Sequence, residues 1–205
     1  GFVNTTGNTE TVALNMRLNF IRTGEKWRHR FTGTAMTTSE DGVKDNERYT
    51  MEVQSDRKLS DISWLFGALR WDADKFGTYD PQISLTAGYG RYLMQSDNHE
   101  LKGEIGAGYR SLTETVSNDE SSEAIARFLL DDWWQIFPST KWTNRLLVET
   151  GSSNTYTQFN TALAVSLNAR FAVKLGFEVR NNTDRPPGES EKTDTITTAN
   201  LVYNF

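Results

Sequence analysis

Several features that would settle a chain's class at once are missing here. The 205 residues contain no cysteine, which excludes disulfides and thiolate metal sites. Only four prolines interrupt it. No apolar run approaches the roughly 18 residues that a transmembrane helix needs, and the mean hydropathy is −0.59. There is no basic excess. Lys and Arg number 22 against 27 Asp and Glu, giving a net charge of −5, which argues against a nucleic-acid partner. No signal peptide is visible. Gly1 starts inside a strand, so a leader and some mature residues are expected to precede it. What remains is 37% hydrophobic, 12% aromatic and 24% charged, values a soluble globular chain can share. The length suits a single all-β domain over residues 1–205.

The order of the residues is more telling than their proportions. From Thr11 to Phe20, Val12, Leu14, Met16, Leu18 and Phe20 alternate with Thr11, Ala13, Asn15, Arg17 and Asn19. That is period two over roughly 10 residues, the length of one tilted strand across a bilayer. A helix would spread Leu14 and Leu18 away from Val12 and Met16. The same pattern returns at Tyr49–Val53, Ile83–Tyr89, Leu101–Tyr109, Phe159–Leu167 and Phe171–Val179, one face apolar and the other polar or charged. Two stretches are less clean. Ile62–Asp72 has bulky apolar residues on both faces, and Leu129-Leu130-Asp131-Asp132-Trp133-Trp134 blurs the parity.

Connections are expected to alternate in length. Short ones fall near Thr23–Glu25, Leu59–Ser60, Ser96–Asn98, Pro138–Ser139 and Asn168–Arg170, and longer polar ones near Ser39–Asp45, Ala73–Pro81, Glu114–Ser122, Gly151–Thr155 and Thr183–Ser190. Short periplasmic turns and longer outer loops mark outer-membrane barrels. Counting back from a periplasmic C-terminus gives eleven strands after a turn at Thr6-Gly7-Asn8. Gly1–Asn4 is then the remnant of a twelfth, and both termini are periplasmic. A single strand bent through Gly7 would give eleven.

The expected fold is all-β: an antiparallel up-and-down transmembrane β-barrel of twelve strands. Twelve strands enclose too wide a lumen for an apolar inside, since about eight already leave room only for side chains or one small ligand. An apolar outside and a polar inside is rewarded only by a bilayer. Trp27, Trp71, Trp133, Trp134 and Trp142 lie near strand ends, as do Tyr89, Tyr109 and Tyr203, as headgroup-zone aromatics do. Leu201, Tyr203 and the final Phe205 share one face of the last strand. This triplet resembles the terminal signature that the barrel-assembly machinery reads as an extending strand edge.

The opening Gly1-Phe-Val-Asn-Thr-Thr-Gly-Asn-Thr-Glu-Thr resembles that of the YdiY-like family, outer-membrane proteins described as salt-induced and without an established function. The family pattern of a Gly followed by Gly-Asn-Thr and an alternating strand falls on Gly1 and on Gly7, Asn8 and Thr9. The glycine-rich strands Ala87–Gly90 and Gly103–Tyr109 and the closing Leu201–Phe205 extend the likeness over the whole chain. It implies fold and compartment, and no activity comes with it.

Catalytic patterns are weak, and no enzyme is expected. His29 and His99 fall on different strands, neither with a serine at a useful short spacing, so a hydrolase on the outer face is disfavoured. Adjacent Asp131 and Asp132 point to opposite faces and cannot share a proton or a metal. Gly103, Gly106 and Gly108 precede no helix, as a phosphate cradle would require, and instead relieve crowding in curved strands. No cofactor or metal is implied.

The expected lumen is the informative part. Parity turns Arg17, Arg28, Arg30, Arg48, Arg70, Lys102, Arg110, Arg127, Arg145, Lys174 and Arg180 inward, with Glu52, Asp72, Glu104, Asp131, Glu149 and Glu178, while Glu100 and Glu123 lie nearer the rims. Two readings follow. One is a narrow passive channel with weak anion preference, in which reversing Arg48, Arg110 or Arg145 lowers that preference. The other is a closed, salt-bridged barrel with a structural, stress-related or partner-binding role and no transport. The expected setting is the bacterial outer membrane. A monomer is expected there, surrounded by lipid and by lipopolysaccharide, whose phosphates divalent cations could bridge to loop carboxylates such as Asp74, Asp184, Glu189 and Glu191.

Overall fold

The computed structural model describes residues 2–5, 11–184 and 193–203. Twelve strands follow in chain order: β1 (Phe2–Thr5), β2 (Thr11–Thr23), β3 (Trp27–Glu40), β4 (Val43–Lys58), β5 (Ser63–Asp74), β6 (Tyr79–Gln95), β7 (His99–Glu114), β8 (Glu120–Phe137), β9 (Thr140–Thr150), β10 (Thr155–Ser166), β11 (Phe171–Asn182) and β12 (Thr193–Tyr203). Each pairs antiparallel with the next in one sheet ordered β1 to β12, the up-and-down arrangement of a barrel wall. The Gly7 turn and the terminal Phe205 lie outside the described residues. Of the closing triplet, Leu201 points outward and is 68% exposed, and the Tyr203 backbone pairs with Phe171.

The faces are inverted relative to a water-soluble protein. On β5, Trp64, Phe66, Ala68, Arg70 and Asp72 are buried, while Leu65 and Leu69 are exposed. Leu85, Ile105, Tyr109, Leu175 and Phe20 are exposed on other strands, whereas Arg110, Glu104, Glu149, Gln54 and Asp56 are almost completely enclosed. Exposed large apolar side chains and enclosed charges reverse the usual distribution. The apolar positions are spread over the wall and do not form one local patch.

The connections differ from the expected alternation. Strands β3 and β4 run to within two residues of each other, leaving only Asp41 and Gly42, whose φ of 48° and 76° make a tight hairpin turn. Strands likewise extend into the segments expected to be long loops, leaving residues 75–78, 115–119 and 151–154 as connections. At the other end the connections are residues 24–26, 59–62, 96–98, 138–139 and 167–170, of similar length; most of the expected long loop Thr183–Ser190 lies outside the described residues. The polar residues read as loop therefore lie on strand extensions past the apolar belt. A polar alternating segment pairs as readily as an apolar one once its neighbour is in register.

Among the described residues no ladder joins β12 to β1, and the curled sheet is flattened. Twelve strands spaced about 4.8 Å apart and tilted about 40° would enclose a circle roughly 24 Å across. An arginine and a glutamate reaching toward each other span only about 14 Å between Cα atoms. Yet Arg145 on β9 meets Glu52 on β4 at 2.9 Å, and Arg70 on β5 donates to the Tyr156 hydroxyl on β10 at 2.8 Å. Arg17 on β2 comes within 4.0 Å of Glu178 on β11, so the curl draws the two ends of the sheet together across the interior.

The partners also step around the sheet along its axis. Nearest the 24–26 turn, β3 meets β6 through Arg28 and Tyr92. Farther along, β4 meets β7 through Gln54 and Glu104 and β3 meets β8 through Arg30 and Asp131. Next come the β4–β9 and β5–β10 contacts, and at the far end Tyr79 of β6 reaches Asp184 beyond β11. A flattened barrel of tilted strands does this, because each strand crosses the long axis of the section as it rises.

Flattening needs a crease, and glycines supply it. A Cβ added to inward-facing Gly88 would lie 2.1 Å from the Ile105 carbonyl oxygen, and one on Gly108 would lie 2.0 Å from that of Leu85. At Gly106 the corresponding distance to the Ala87 oxygen is 2.5 Å. The β6–β7 ladder is therefore too tightly bent at these three positions to hold a side chain on its inner surface, as expected of glycines in strongly curved strands.

Candidate functional site: the charged interior

The interior divides into a packed side and an open side. The packed side is built on β3 to β9. Glu104 accepts from Arg127 at 2.9 Å, Gln54 at 2.8 Å and the Trp64 indole at 3.2 Å. Gln54 also donates to Asp56 at 2.8 Å, and Asp56 takes Arg28 at 2.7 Å and Arg30 at 3.4 Å. Arg28 lies over the Trp64 ring at 4.9 Å and Arg127 over Phe66 at 4.9 Å. Arg110, fully enclosed, donates to Glu123 and to the carbonyls of Glu149 and Asn154. Glu149 accepts from Ser84 at 3.1 Å. Leu129, Leu147 and Tyr156 form a small apolar cluster beside this network, and Trp64, Phe66 and Ala68 form another. The bulky apolar residues on both faces of Ile62–Asp72 thus have a simple origin: the inner set packs beneath the guanidinium groups.

The open side is a cavity of about 570 Å³ lined from β2 to β5 and from β8 to β12. Its charged lining comprises six cations, Arg17, Arg48, Arg70, Arg145, Lys174 and Arg180, and three carboxylates, Glu52, Asp131 and Glu178. Threonine, asparagine and glutamine occupy most of the rest, including Thr34, Thr50, Thr143, Asn160, Asn200 and Gln158. Arg48 pairs with Asp72 at 3.2 Å and Asp74 at 2.8 Å; Arg70 pairs with Asp72 at 2.6 Å; Arg180 pairs with Glu178 and lies 3.7 Å from Asp72. Arg145 holds Glu52 and lies 3.4 Å from Asp131, which also has Lys102 at 3.7 Å and Arg30 at 4.0 Å.

Of the charges assigned inward by parity, Arg28, Arg30, Asp72, Lys102, Glu104, Arg110, Arg127 and Glu149 are not part of this cavity lining. Parity places a side chain on a face but says nothing of what packs over it. Asp56, Gln54 and Tyr156, central to the network, were not singled out from the sequence. The signal for Asp56 was present, because it shares parity with Glu52 and Gln54 and sits opposite Arg28 in the β3–β4 register.

The outer wall carries two polar groupings near the 24–26 and 138–139 turns. His29 Nδ1 lies 2.9 Å from Ser55 Oγ and its ring stacks on Trp27 at 6.0 Å. Sequence spacing gave no such serine, because register rather than spacing brings it there: His29 and Ser55 are direct partners across β3 and β4. Separately, His99 Nε2 lies 2.7 Å from Asp132, which accepts from Asn144 at 2.9 Å; Asn144 in turn accepts from Thr161 at 2.8 Å. The first group has a serine without an orienting acid and the second an acid without a serine, so neither makes a nucleophile–base–acid series. Asp131 and Asp132 do turn to opposite faces, the former to Arg145 and the latter to His99. Trp134 and Trp142 are exposed on the outer wall, whereas Trp133 turns inward and carries Lys141 over its ring at 4.2 Å.

Among the described residues no group of three or more His, Cys, Asp or Glu is placed to hold a metal ion. Several rim carboxylates already have internal partners: Asp74 has Arg48, and Asp184 accepts from Tyr79 at 3.0 Å. In the 75–78 connection, hydrogen bonding to Glu47 holds the Lys75 ammonium above the usual lysine range.

Comparison with known proteins agrees with the architecture. A solved porin structure, that of NanC in a rhombohedral crystal form, superposes with a TM-score of 0.59 over 100% of this chain and 98% of that one. At 8% sequence identity the likeness is one of fold. The uncharacterized protein YdiY of Escherichia coli (strain K12) is 29% identical over 211 residues, spanning 100% of this chain and 81% of that protein. The family described as a protein of unknown function, DUF481, matches residues 1–205, and the chain belongs to it.

Proposed function

We propose that this protein is an outer-membrane β-barrel that acts as a narrow passive channel with a weak preference for anions. The observation that carries the reading is the cavity of about 570 Å³ running beside the packed network, with six cations on its wall against three carboxylates. Fixed charge of one sign in a low-dielectric constriction favours solutes of the opposite sign. The apolar outer wall supports membrane insertion, since lipid alone rewards that face. The exposed Trp27, Trp134 and Trp142 suit a headgroup zone at the end bearing the 24–26 and 138–139 turns. Leu201, Tyr203 and Phe205 would present the closing strand to the assembly machinery as an edge to be extended.

The experiment is steady-state conductance of the purified, folded barrel in a planar bilayer, with the reversal potential measured across a salt gradient. A folded protein, verified by heat-modifiable migration on gels, that shows no steady conductance sinks the channel. One observation favours the second reading, a closed barrel with a structural or partner-binding role: the Glu52–Arg145 pair crosses the interior and ties opposite walls together at 2.9 Å. A silent but folded barrel would leave that reading standing.

A further inference from the structure

The paired arginines are poor candidates for setting an anion preference. A guanidinium with a carboxylate about 3 Å away presents a dipole whose field falls off faster than that of a lone charge. Arg48, Arg70, Arg145 and Arg180 are all of this kind. Lys174 differs. It lines the cavity from β11, and among the described residues no carboxylate lies within 4.0 Å of its ammonium. The charges that act on it are Arg17 and Lys141, both cationic.

Register explains the grouping. Lys174 is paired with Ala164, which is itself paired with Lys141, and on its other side Lys174 is paired with Asn200. Alternate residues of a strand share a face and directly paired residues share it too, so Lys141, Ala164, Lys174 and Asn200 form one inward row across β9 to β12. Lys141 rests on the Trp133 ring nearer the 138–139 turn. Arg17, deeper in the cavity, has Glu178 at 4.0 Å, shared with Arg180, and its side chain is 47% exposed. Lys174 and Lys141 therefore lie on one wall without a carboxylate partner among the described residues, and the weakly neutralised Arg17 of β2 lines the same cavity. The other walls carry charges already paired.

We propose that Lys174, flanked by Arg17 and Lys141, is an anion-binding step on the β9–β12 wall, taking one small carboxylate- or phosphate-bearing solute at a time, and that this step sets the selectivity. The proposal rests on the channel reading for its effect on transport, but the binding step itself does not need the barrel to conduct. Asn200, paired with it across β11 and β12, supplies a neutral amide for the solute's remaining oxygens.

Two measurements test it together. The first is the reversal potential in a potassium chloride gradient for the wild type, Lys174→Gln, Lys174→Arg and Lys44→Gln. Lys44, on β4 beside Glu47, is not part of the cavity lining and controls for the loss of a distant charge. The second is broadening of the phosphorus resonance of inorganic phosphate by the detergent-folded barrel. K174Q should lower the chloride-to-potassium permeability ratio severalfold, toward 1, and abolish the broadening, while K174R keeps both and K44Q changes neither. A conducting K174Q barrel with unchanged permeability ratio overturns the proposal. Lys174-dependent broadening in a barrel that does not conduct would remove the channel and keep the site. Absence of both signals in folded wild type removes both. Broadening equal in the wild type and K174Q shows only diffuse attraction to the lumen and also overturns the site.

Discussion

Glu104 offers the sharpest test of whether one side of the interior is truly packed. It is 1% exposed and accepts hydrogen bonds from Arg127, Gln54 and the Trp64 indole. Glu104→Gln keeps the shape and an accepting oxygen but removes the charge. Arg127 is then left with Glu149 as its nearest carboxylate, at 4.0 Å, while remaining enclosed above Phe66. Breaking a buried pair from one side costs about 3–5 kcal/mol, and the retained oxygen argues for the lower end, about 3 kcal/mol. That is a factor of roughly 150 in the folding equilibrium. With a urea slope of about 2 kcal/mol per molar, the unfolding midpoint from phospholipid vesicles should fall by about 1.5 M. Tryptophan fluorescence would follow it, with Trp64 inside the network. The double variant Glu104→Gln/Arg127→Met removes both charges and lays an apolar chain on Phe66. It should therefore be less destabilised than the sum of its singles by 1 kcal/mol or more, because no charge is left stranded. A single variant costing less than about 1 kcal/mol, with additive behaviour in the double, would refute the reasoning. It would mean that water reaches Glu104 and that the packed side is as wet as the cavity.

Three further outcomes follow from the same geometry. Gly88→Ala should cost about 3 kcal/mol or prevent folding, because its Cβ would meet the Ile105 carbonyl oxygen at 2.1 Å; a normal heat-modifiable band with an unchanged urea midpoint would count against the crease. Brominated lipids should quench single-tryptophan variants retaining Trp134 or Trp142, both exposed, and spare those retaining the enclosed Trp64; equal quenching would contradict the assigned faces. Arg145→Ala removes the side chain that joins β9 to β4 at 2.9 Å, so a conducting barrel should show larger unitary conductance, and a smaller one would mean the pathway lies elsewhere.

Much of this was readable in the residue order. Period-two alternation marked the strands, and antiparallel pairing with each neighbour followed because the connections among the described residues are short. Inward parity of the arginines and carboxylates needed nothing beyond the pleat, and Arg17, Arg48, Arg145 and Lys174 line the cavity. What misled was reading polarity as loop. Ser39 to Asp45 is polar, but Asp41-Gly42 is a two-residue hairpin signal and the strands run up to it. The lengths of the connections that lie wholly among the described residues consequently do not distinguish the two ends.

The division between packed and open sides could not be read along the chain, for a geometric reason. Neighbouring strands are tied by register, so a pairing such as His29 with Ser55 follows once the hairpin is set. Arg70 with Tyr156, or Glu52 with Arg145, joins strands five apart, and that depends on the shape of the cross-section. In a circle roughly 24 Å across those side chains would end in water. In a flattened section they meet, and strand tilt decides which strand faces which at each level. The closest thing to a sequence record of that shape is the run of inward glycines, Gly88, Gly106 and Gly108, whose missing side chains let β6 and β7 bend sharply. Bulk then has to go elsewhere on the inner surface, and it does so on the adjoining β5, as Trp64 and Phe66. Glycines on one strand pair beside aromatics on the next are thus one device: they close one side of the barrel and leave the cations of the opposite wall beside open space.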